Sequence, residues 1–243
     1  MNTCGKKYFS ELNSTNSYAL EQFSELGMGD VIVADRQTQG RGRFDRVWKS
    51  DSADNIYMTF VVKPDNKDNF PYMNLTQYLS VVINKIFNEK YGIKSDIKWP
   101  NDILYNGKKF VGILSEAKTE NGKIDGVALG VGINVNTDIN YYDELPNATS
   151  LSIIAGRNFE KKELADEIAD EFYKGLDEYS EKGFSTISED YKRMCKFHSQ
   201  TVKLGGSFMD GEYEFAGLND DGTFSVLDEK GEKIKVVSGD ILC

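Results

Sequence analysis

The sequence predicts an α+β fold, a mixed β-sheet packed with helices and followed by a small β-barrel. Three observations carry this. Met73 to Tyr91 has helical periodicity and lies between runs rich in aromatic and β-branched residues. Two Asn-Gly pairs separate strand-like runs in the middle of the chain. From Gln200 onward, short alternating segments are broken by dense turn signals.

Taken in order, Ser14-Thr15-Asn16 offers N-cap chemistry to a helix over Ser17–Leu26, closed by Gly27 and Gly29. Asp30–Asp35 reads as a short buried strand, Gln37–Lys49 as a polar loop rich in Gly and Arg, and Asn55–Lys63 as another strand. In the stretch from Met73 to Tyr91, residues Met73, Leu75, Leu79, Val82, Ile83, Ile86 and Phe87 fall near i, i+3, i+4 spacing. Gly92 follows as a C′ glycine, so this is an amphipathic helix on a sheet. Asn106-Gly107 joins Asp102–Tyr105 to Lys108–Ala117, and Asn121-Gly122 joins that strand to Lys123–Asn136; both pairs suit two-residue type I′ hairpins. Lys161–Glu181 reads as one helix and Ser185–Phe197 as a shorter one. Beyond a boundary near Ser199, the segments Thr201–Leu204, Tyr213–Leu218, Thr223–Leu227 and Lys233–Val237 make the barrel. The organisation expected is residues 1–198 and 199–243.

Composition narrows the chemistry. The chain has 243 residues, enough for one sizeable core, and a net charge of -10, which disfavours nucleic acid as the main partner. Cys4, Cys195 and Cys243 are too scattered for a metal site or a disulfide framework and read as reduced thiols. No signal peptide and no membrane-spanning run is visible, so a cytoplasmic protein is expected. His198 is the single histidine and reads as an ordinary surface residue. A zinc site or a Ser-His-Asp triad would have to rest on it alone, so no protein-held metal centre is expected. Catalysis here has to run on positioning and positive charge.

Three constellations can supply that. Arg36, Arg41, Arg43, Arg46 and Lys49 surround the Gly40-Arg41-Gly42-Arg43 run, a cationic island with one acid, Asp45. Alternating glycines let the backbone approach a ligand while guanidinium forks grip carboxylate or phosphate; an Arg-Gly segment touching RNA is the alternative. Lys98-Trp99-Pro100-Asn101-Asp102 is followed by Lys108-Lys109 and Gly112-Ile113-Leu114. Here lysines can meet anions, Asn101 and Asp102 can bond a ribose or amide, and Gly112 in an apolar strand suggests close approach of a flat ligand. In Gly130-Val131-Gly132-Ile133-Asn134 the glycines leave a slot or mark a bulge, and Asn134 can read a base edge. No P-loop and no dinucleotide fingerprint is present.

With these motifs in this order, and with Ser14-Thr15-Asn16, Trp48 and Asn55-Ile56-Tyr57 in place, the sequence resembles the catalytic domain of biotin–protein ligases over nearly its whole length. The resemblance implies a class II synthetase-like catalytic domain followed by an SH3-like barrel. It implies ATP and Mg²⁺ as cofactors, biotin as substrate, and transfer through biotinyl-5′-AMP to a lysine of a biotin carboxyl carrier protein, from acetyl-CoA carboxylase or another biotin-dependent carboxylase. Carried onto this chain, Ser14, Thr15, Asn16 and Gln37 would bind the ureido end of biotin, and Gly112 and Leu114 would line its slot. Arg41 and Arg43 would close over the carboxylate and phosphate, and Lys109 would stabilise both during attack. Trp48 would cover adenine, Asn134 would contact its edge, and Asn101 and Asp102 would organise the nucleotide or the acceptor lysine. Some relatives carry an N-terminal helix-turn-helix of about 60 residues for repression; 13 residues precede Ser14 here, so the short monofunctional type without specific DNA binding is expected. A homodimer is left open. The rival readings are a lipoate– or octanoyl–protein ligase, a biotin-binding module without catalysis, and an RNA-binding protein.

Overall fold

The computed structural model describes residues 5–195, 201–205 and 211–242. Its first part builds a seven-stranded sheet from β1 (Lys6–Leu12), β2 (Val31–Gln37), β3 (Ile56–Val62), β4 (Asp96–Lys98), β5 (Asp102–Tyr105), β6 (Lys108–Glu120) and β7 (Lys123–Ile133). The spatial order is β1-β2-β3-β7-β6-β5-β4. β1 and β2 run parallel and every other neighbouring pair antiparallel, so the sheet is mixed as expected. Six helices accompany it: α1 (Thr15–Glu21), α2 (Leu75–Tyr91), α3 (Leu151–Ala155), α4 (Lys161–Lys174), α5 (Leu176–Lys182) and α6 (Ser188–Met194).

Strand periodicity decides which face does what. Ile56, Met58, Phe60 and Val62 of β3, with Val127, Leu129, Val131 and Ile133 of β7, enter the main core alongside apolar residues of α2, α4, α5 and α6. The alternate positions face the other way. There Val61 and Ala128 meet Ala19, Phe23 and Leu26 in a second, smaller cluster. The rest of that second face, including Thr59, Gly130 and Gly132, is left for the functional site.

Both Asn-Gly pairs are hairpin turns with positive φ at each central residue, 49° and 79° at Asn106-Gly107 and 50° and 76° at Asn121-Gly122. That is the backbone a type I′ turn requires. The helix expected to reach Leu26 ends at Glu21 and gives way to turns that carry Phe23 and Leu26 into the small cluster. The helix expected over Lys161–Glu181 is two, α4 and α5, broken at Gly175. A Cβ there would lie 2.6 Å from the Tyr78 hydroxyl oxygen. The last expected helix starts at Ser188, after a 3₁₀ turn over Gly183–Thr186. Sequence patterning gave no sign of β1, β4 or α3.

The C-terminal segments form a five-stranded antiparallel sheet of β8 (Thr201–Gly205), β9 (Gly211–Leu218), β10 (Phe224–Leu227), β11 (Lys233–Val236) and β12 (Asp240–Leu242), in order β11-β10-β9-β8-β12. This is the SH3-like sheet the sequence led us to expect, with β12 as an added strand. Its Val202, Leu204, Phe224, Val226, Val236 and Ile241 belong to the same hydrophobic cluster as the first sheet. Trp99 meets Phe224 edge-on at 4.6 Å, and Trp99 Nε1 and Gln77 Nε2 both donate to the Gly222 carbonyl, at 3.1 and 2.6 Å.

The expected boundary near Ser199 and the surface position of His198 lie outside the described residues, as do Cys4 and Cys243. Cys195 is a buried free thiol whose pKa burial pushes up to about 12. Among the described residues, no helix is long and apolar enough to cross a membrane.

Candidate active site

The site is floored by two adjacent strands of the first sheet. Across the β6–β7 ladder Gly112 faces Gly132 and Leu114 faces Gly130. The glycines matter here for space. A Cβ on Gly132 would lie 2.4 Å from Trp48 Nε1, one on Gly112 2.7 Å from Trp48 Cζ3, and one on Gly130 2.3 Å from Asn16 Oδ1. The Trp48 indole therefore lies directly on a bare backbone floor. Its Nε1 is buried and has no hydrogen-bond partner among the described residues.

The Arg-Gly segment arches over this floor as a small hairpin. Arg41 and Val47 form an antiparallel bridge, and Gly42 N donates to Arg46 O at 2.7 Å and Trp48 N to Gly40 O at 3.0 Å. Phe44 and Asp45 at the tip both have positive φ, 54° and 57°, so two side-chain-bearing residues adopt the left-handed conformation that glycine prefers. The Phe44 ring lies 4.8 Å from the Arg43 guanidinium and 5.8 Å from that of Arg46. Arg41 and Arg43 then diverge. Arg41 Nη2 is 3.0 Å from both carboxylate oxygens of Glu116. Arg43 Nη1 donates to the Gly239 carbonyl at 3.0 Å, with Asn101 Oδ1 at 3.4 Å. The hairpin is thereby latched to the C-terminal sheet.

One end of the floor is a buried polar cluster. Ser14 caps α1 and accepts from Ser17 N, which turns Thr15 and Asn16 toward the sheet. Gln37 Oε1 accepts from Thr15 N at 2.8 Å and from its hydroxyl at 3.1 Å. Thr59, fully buried on β3, donates to Asn16 Oδ1 at 2.6 Å and lies 2.8 Å from Thr15 Oγ1. Asn16 Nδ2 donates to Glu116 at 2.8 Å and to the Leu114 carbonyl at 3.2 Å. Hydroxyls and amides are thus arrayed under an apolar, glycine-floored slot.

Lys109 occupies the other end. The β5–β6 ladder slips there, pairing Ile103 with Val111 but Leu104 with Lys109, and such irregularities re-aim side chains. Lys109 instead bonds across to the segment just before α3: its N donates to Asn147 O at 2.7 Å, and its carbonyl accepts from Thr149 N at 3.0 Å. Its Nζ lies 2.7 Å from Asp102 Oδ1, an ion pair off hydrogen-bond geometry, and 5.0 Å from the Trp48 ring.

Two pockets meet at Trp48 and Lys109. The first, about 770 Å³ including its open mouth, is lined by Ser14, Thr15, Asn16 and Gln37 at one end, and by Arg41, Arg43, Asn101, Asp102 and Lys109 at the other, over Gly112 and Leu114. The second lies beyond the indole and is walled by Asn134, Tyr141, Tyr142, Leu145 and Pro146. Asn134 Nδ2 donates to the Thr149 carbonyl at 2.9 Å. Burial pushes the Tyr142 phenol up to about 12, and Lys49 and Glu144 line the same pocket. The expected site residues therefore gather in the first pocket, except Asn134, which belongs to the second. Sequence reasoning missed the supporting Thr59 and Glu116. The single threonine in the otherwise aliphatic and aromatic run Ile56–Val62 was the available sign for Thr59; nothing local marked Glu116.

Comparison with known proteins agrees with this geometry. The model of the Biotin/lipoate A/B protein ligase family matches residues 8–134, and the chain belongs to that family. It is 36% identical to the bifunctional ligase/repressor BirA of Bacillus subtilis, over 96% of this chain and 72% of that protein, and 26% identical to BirA of Escherichia coli, of which it spans 63%. It is 26% identical to the biotin–[acetyl-CoA-carboxylase] ligase of Paracoccus denitrificans over 91% of this chain and 94% of that one. The structure of the Aquifex aeolicus biotin protein ligase in complex with biotin and ATP superposes with a TM-score of 0.84 at 28% identity, covering 99% of this chain and 98% of that one.

Proposed function

We propose that this chain is an ATP-dependent biotin–protein ligase that forms biotinyl-5′-AMP and passes biotin to a lysine of a biotin carboxyl carrier protein. The observation that carries the reading is the meeting of two pockets at Lys109. One suits an acyl substrate and the other a nucleoside, with a cation where carboxylate and α-phosphate would approach. The polar end formed by Thr15, Asn16 and Gln37 favours biotin over lipoate, because a ureido group offers donors and acceptors to those side chains whereas a dithiolane offers none.

In this reading Thr15, Asn16 and Gln37, positioned by Ser14 and Thr59, orient the ureido end, and Gly112 and Leu114 line the slot. Arg41 and Arg43 close over the biotin carboxylate and the adenylate phosphate. Trp48 covers the adenine, Asn134 reads its edge, and Asn101 and Asp102 organise the nucleotide. Two anions must be brought together, so catalysis is positioning plus electrostatic stabilisation. The carboxylate oxygen attacks the α-phosphorus, and the bond to the bridging oxygen breaks as pyrophosphate leaves with the electron pair. The neutral amine of the acceptor lysine then attacks the carbonyl carbon of the mixed anhydride, the bond from that carbon to the phosphate oxygen breaks as AMP leaves with the electron pair, and the amine gives up one proton to solvent.

Mg²⁺ belongs to this reading. Among the described residues no group of three or more His, Cys, Asp and Glu gathers, which suits an ion held chiefly by phosphate and water with one or two carboxylates. Asp102, the one carboxylate lining the first pocket among the described residues, would be the protein ligand, beside Lys109, whose Nζ lies 2.7 Å from its Oδ1. Bound there, the ion supplies charge neutralisation of the triphosphate.

Pyrophosphate release, measured with ATP and either biotin or lipoate, tests the reading. Release that depends on biotin is expected; release with lipoate alone, or with neither acid, refutes it.

A further inference from the structure

The polar end of the first pocket has little hydrogen-bonding capacity left for a ligand, and what is left has a fixed sense. Asn16 lines that pocket and is 4% exposed. Its Nδ2 lies 3.2 Å from the Leu114 carbonyl and 2.8 Å from the Glu116 carboxylate. Both of those groups can only accept, whereas the Thr59 hydroxyl on the other side can donate or accept. The amide therefore turns one way, with Nδ2 toward the two acceptors and Oδ1 toward Thr59 at 2.6 Å. Both Nδ2 hydrogens are then spent, and a lone pair on Oδ1 is what Asn16 has left. Gln37 is held in the opposite sense. Its Oε1 takes Thr15 N at 2.8 Å and Thr15 Oγ1 at 3.1 Å, so its Nε2, which has no recorded partner among the described residues, is what remains.

An acceptor at Asn16 and a donor at Gln37 suit a ring that carries N–H beside C=O. The sense of the Asn16 amide rests on two contacts of unequal strength. The one to the Leu114 backbone is the longer, and the one to Glu116 is shorter and charge-assisted. Arg41 Nη2, 3.0 Å away, balances the Glu116 charge. We propose, resting on the biotin reading above, that Glu116 is a positioning residue: it fixes the sense of the Asn16 amide, so that the site accepts an N–H of the ureido ring and rejects an oxygen in its place. Without Glu116, the 3.2 Å contact to Leu114 alone opposes a flip, and Thr59 can serve either end of the amide. Glu116 thus sets which ring is taken, while the reacting carboxylate lies at the far end of the pocket.

Two biotin analogues test this, the cyclic carbamates in which one or the other ureido N–H is replaced by a ring oxygen. The exchange keeps the size of the ring and reverses the sense of one contact. Kd values for biotin and both carbamates are measured by calorimetry with the wild type, Glu116→Ala, Glu116→Leu and Glu116→Gln; the leucine variant keeps bulk at the position should alanine not fold. In the wild type, one of the two carbamates is expected to bind about tenfold or more weakly than biotin, the effect of setting its oxygen against a buried lone pair. In Glu116→Ala and Glu116→Leu the Asn16 amide is free to turn and donate, so that ratio should fall to about threefold or less. Glu116→Gln keeps a carbonyl oxygen for Asn16 while losing the charge that pairs with Arg41, and it should retain the wild-type ratio. Wild-type protein that binds both carbamates as tightly as biotin overturns the proposal. So does a ratio unchanged in the alanine and leucine variants, since a general loss of structure weakens all three ligands alike. A ratio that falls equally in Glu116→Gln also overturns it, because the effect then belongs to the Arg41 pair. A wild-type protein that does not bind biotin overturns the biotin reading itself, an outcome distinct from these.

Discussion

Replacing Gly132 by alanine adds a single methyl group where the floor of the site touches Trp48. The new Cβ would lie 2.4 Å from Trp48 Nε1 and 2.5 Å from Cε2. Unstrained contacts sit near 3.5–4 Å, so the indole must retreat by about 1 Å or more. Gly132 has an ordinary strand backbone, paired with Tyr57 on one side and Gly112 on the other, so the strand accepts alanine and the cost falls on the ring. Overpacking of this kind costs about 1–3 kcal/mol, which corresponds to about a 5- to 150-fold change in an equilibrium constant. If Trp48 covers the nucleotide, the KM for ATP in pyrophosphate release rises within that range. Gly126→Ala is the comparison. Its Cβ would meet the Val62 carbonyl at 2.5 Å and Phe23 at 2.6 Å, away from the pockets. It should lower Tm by about 2–4 °C per kcal/mol and leave the KM of the folded enzyme alone. A Gly132→Ala enzyme with wild-type KM for ATP would refute the placement of the indole over the nucleotide, as would a larger KM effect in Gly126→Ala.

Arg43→Ala or Lys109→Ala should retain the wild-type circular dichroism spectrum while slowing adenylation about one to two decades, the loss of one charge-assisted contact; wild-type pyrophosphate release in both removes these residues from the mechanism. Hydrogen exchange over residues 37–49 should slow when biotin and ATP are added together, because Arg41 and Arg43 gain anionic partners; equal protection with and without them rules out loop ordering. Asp166 is pushed up by burial, but hydrogen bonds from Lys162, Tyr8 and Lys6 outweigh this and hold its pKa at about 2. Its contribution is therefore present above the ordinary carboxylate range and is lost as the pH falls from about 4 toward about 2. Tm followed through that window should fall more steeply in the wild type than in Asp166→Asn, and coincident acid limbs would refute the assignment.

Elements marked by local rules were legible in the sequence. Asn106-Gly107 and Asn121-Gly122 could hardly be anything but hairpin turns, and the apolar stripe of α2 ending at Gly92 required no tertiary information. β1 escaped because its burial alternates poorly and its pairing with β2 is parallel and non-local. The break between α4 and α5 depends on the Tyr78 hydroxyl lying against Gly175, a contact between helices far apart in sequence. In the site, the charged and glycine-rich motifs were visible because few structural roles need Arg and Gly alternating, or Gly on alternate positions of a buried strand. Their division between pockets was not. Asn134 lies two residues beyond Gly132, yet the Trp48 indole separates it from the first pocket, and only the folded hairpin puts the indole there. Glu116 was invisible for the same reason: its meaning comes from Arg41, 75 positions away.

The contact between Trp99 and the C-terminal sheet bears on how far this chain can be trimmed or extended. Cutting away residues 201–242 would leave Trp99, now 4% exposed, facing water, and would deprive Trp99 Nε1 and Gln77 Nε2 of the Gly222 carbonyl they share. Water can replace the lost carbonyl, so the cost is chiefly that of exposing apolar surface, against a total stability of about 5–15 kcal/mol for a typical domain. The apolar loss of Phe224 and Val226 adds to that. The terminal sheet is thus a keel that no minimised version of the protein can shed. Added sequence belongs at the exposed tip of the Asn121-Gly122 hairpin, where no side chain crowds the turn.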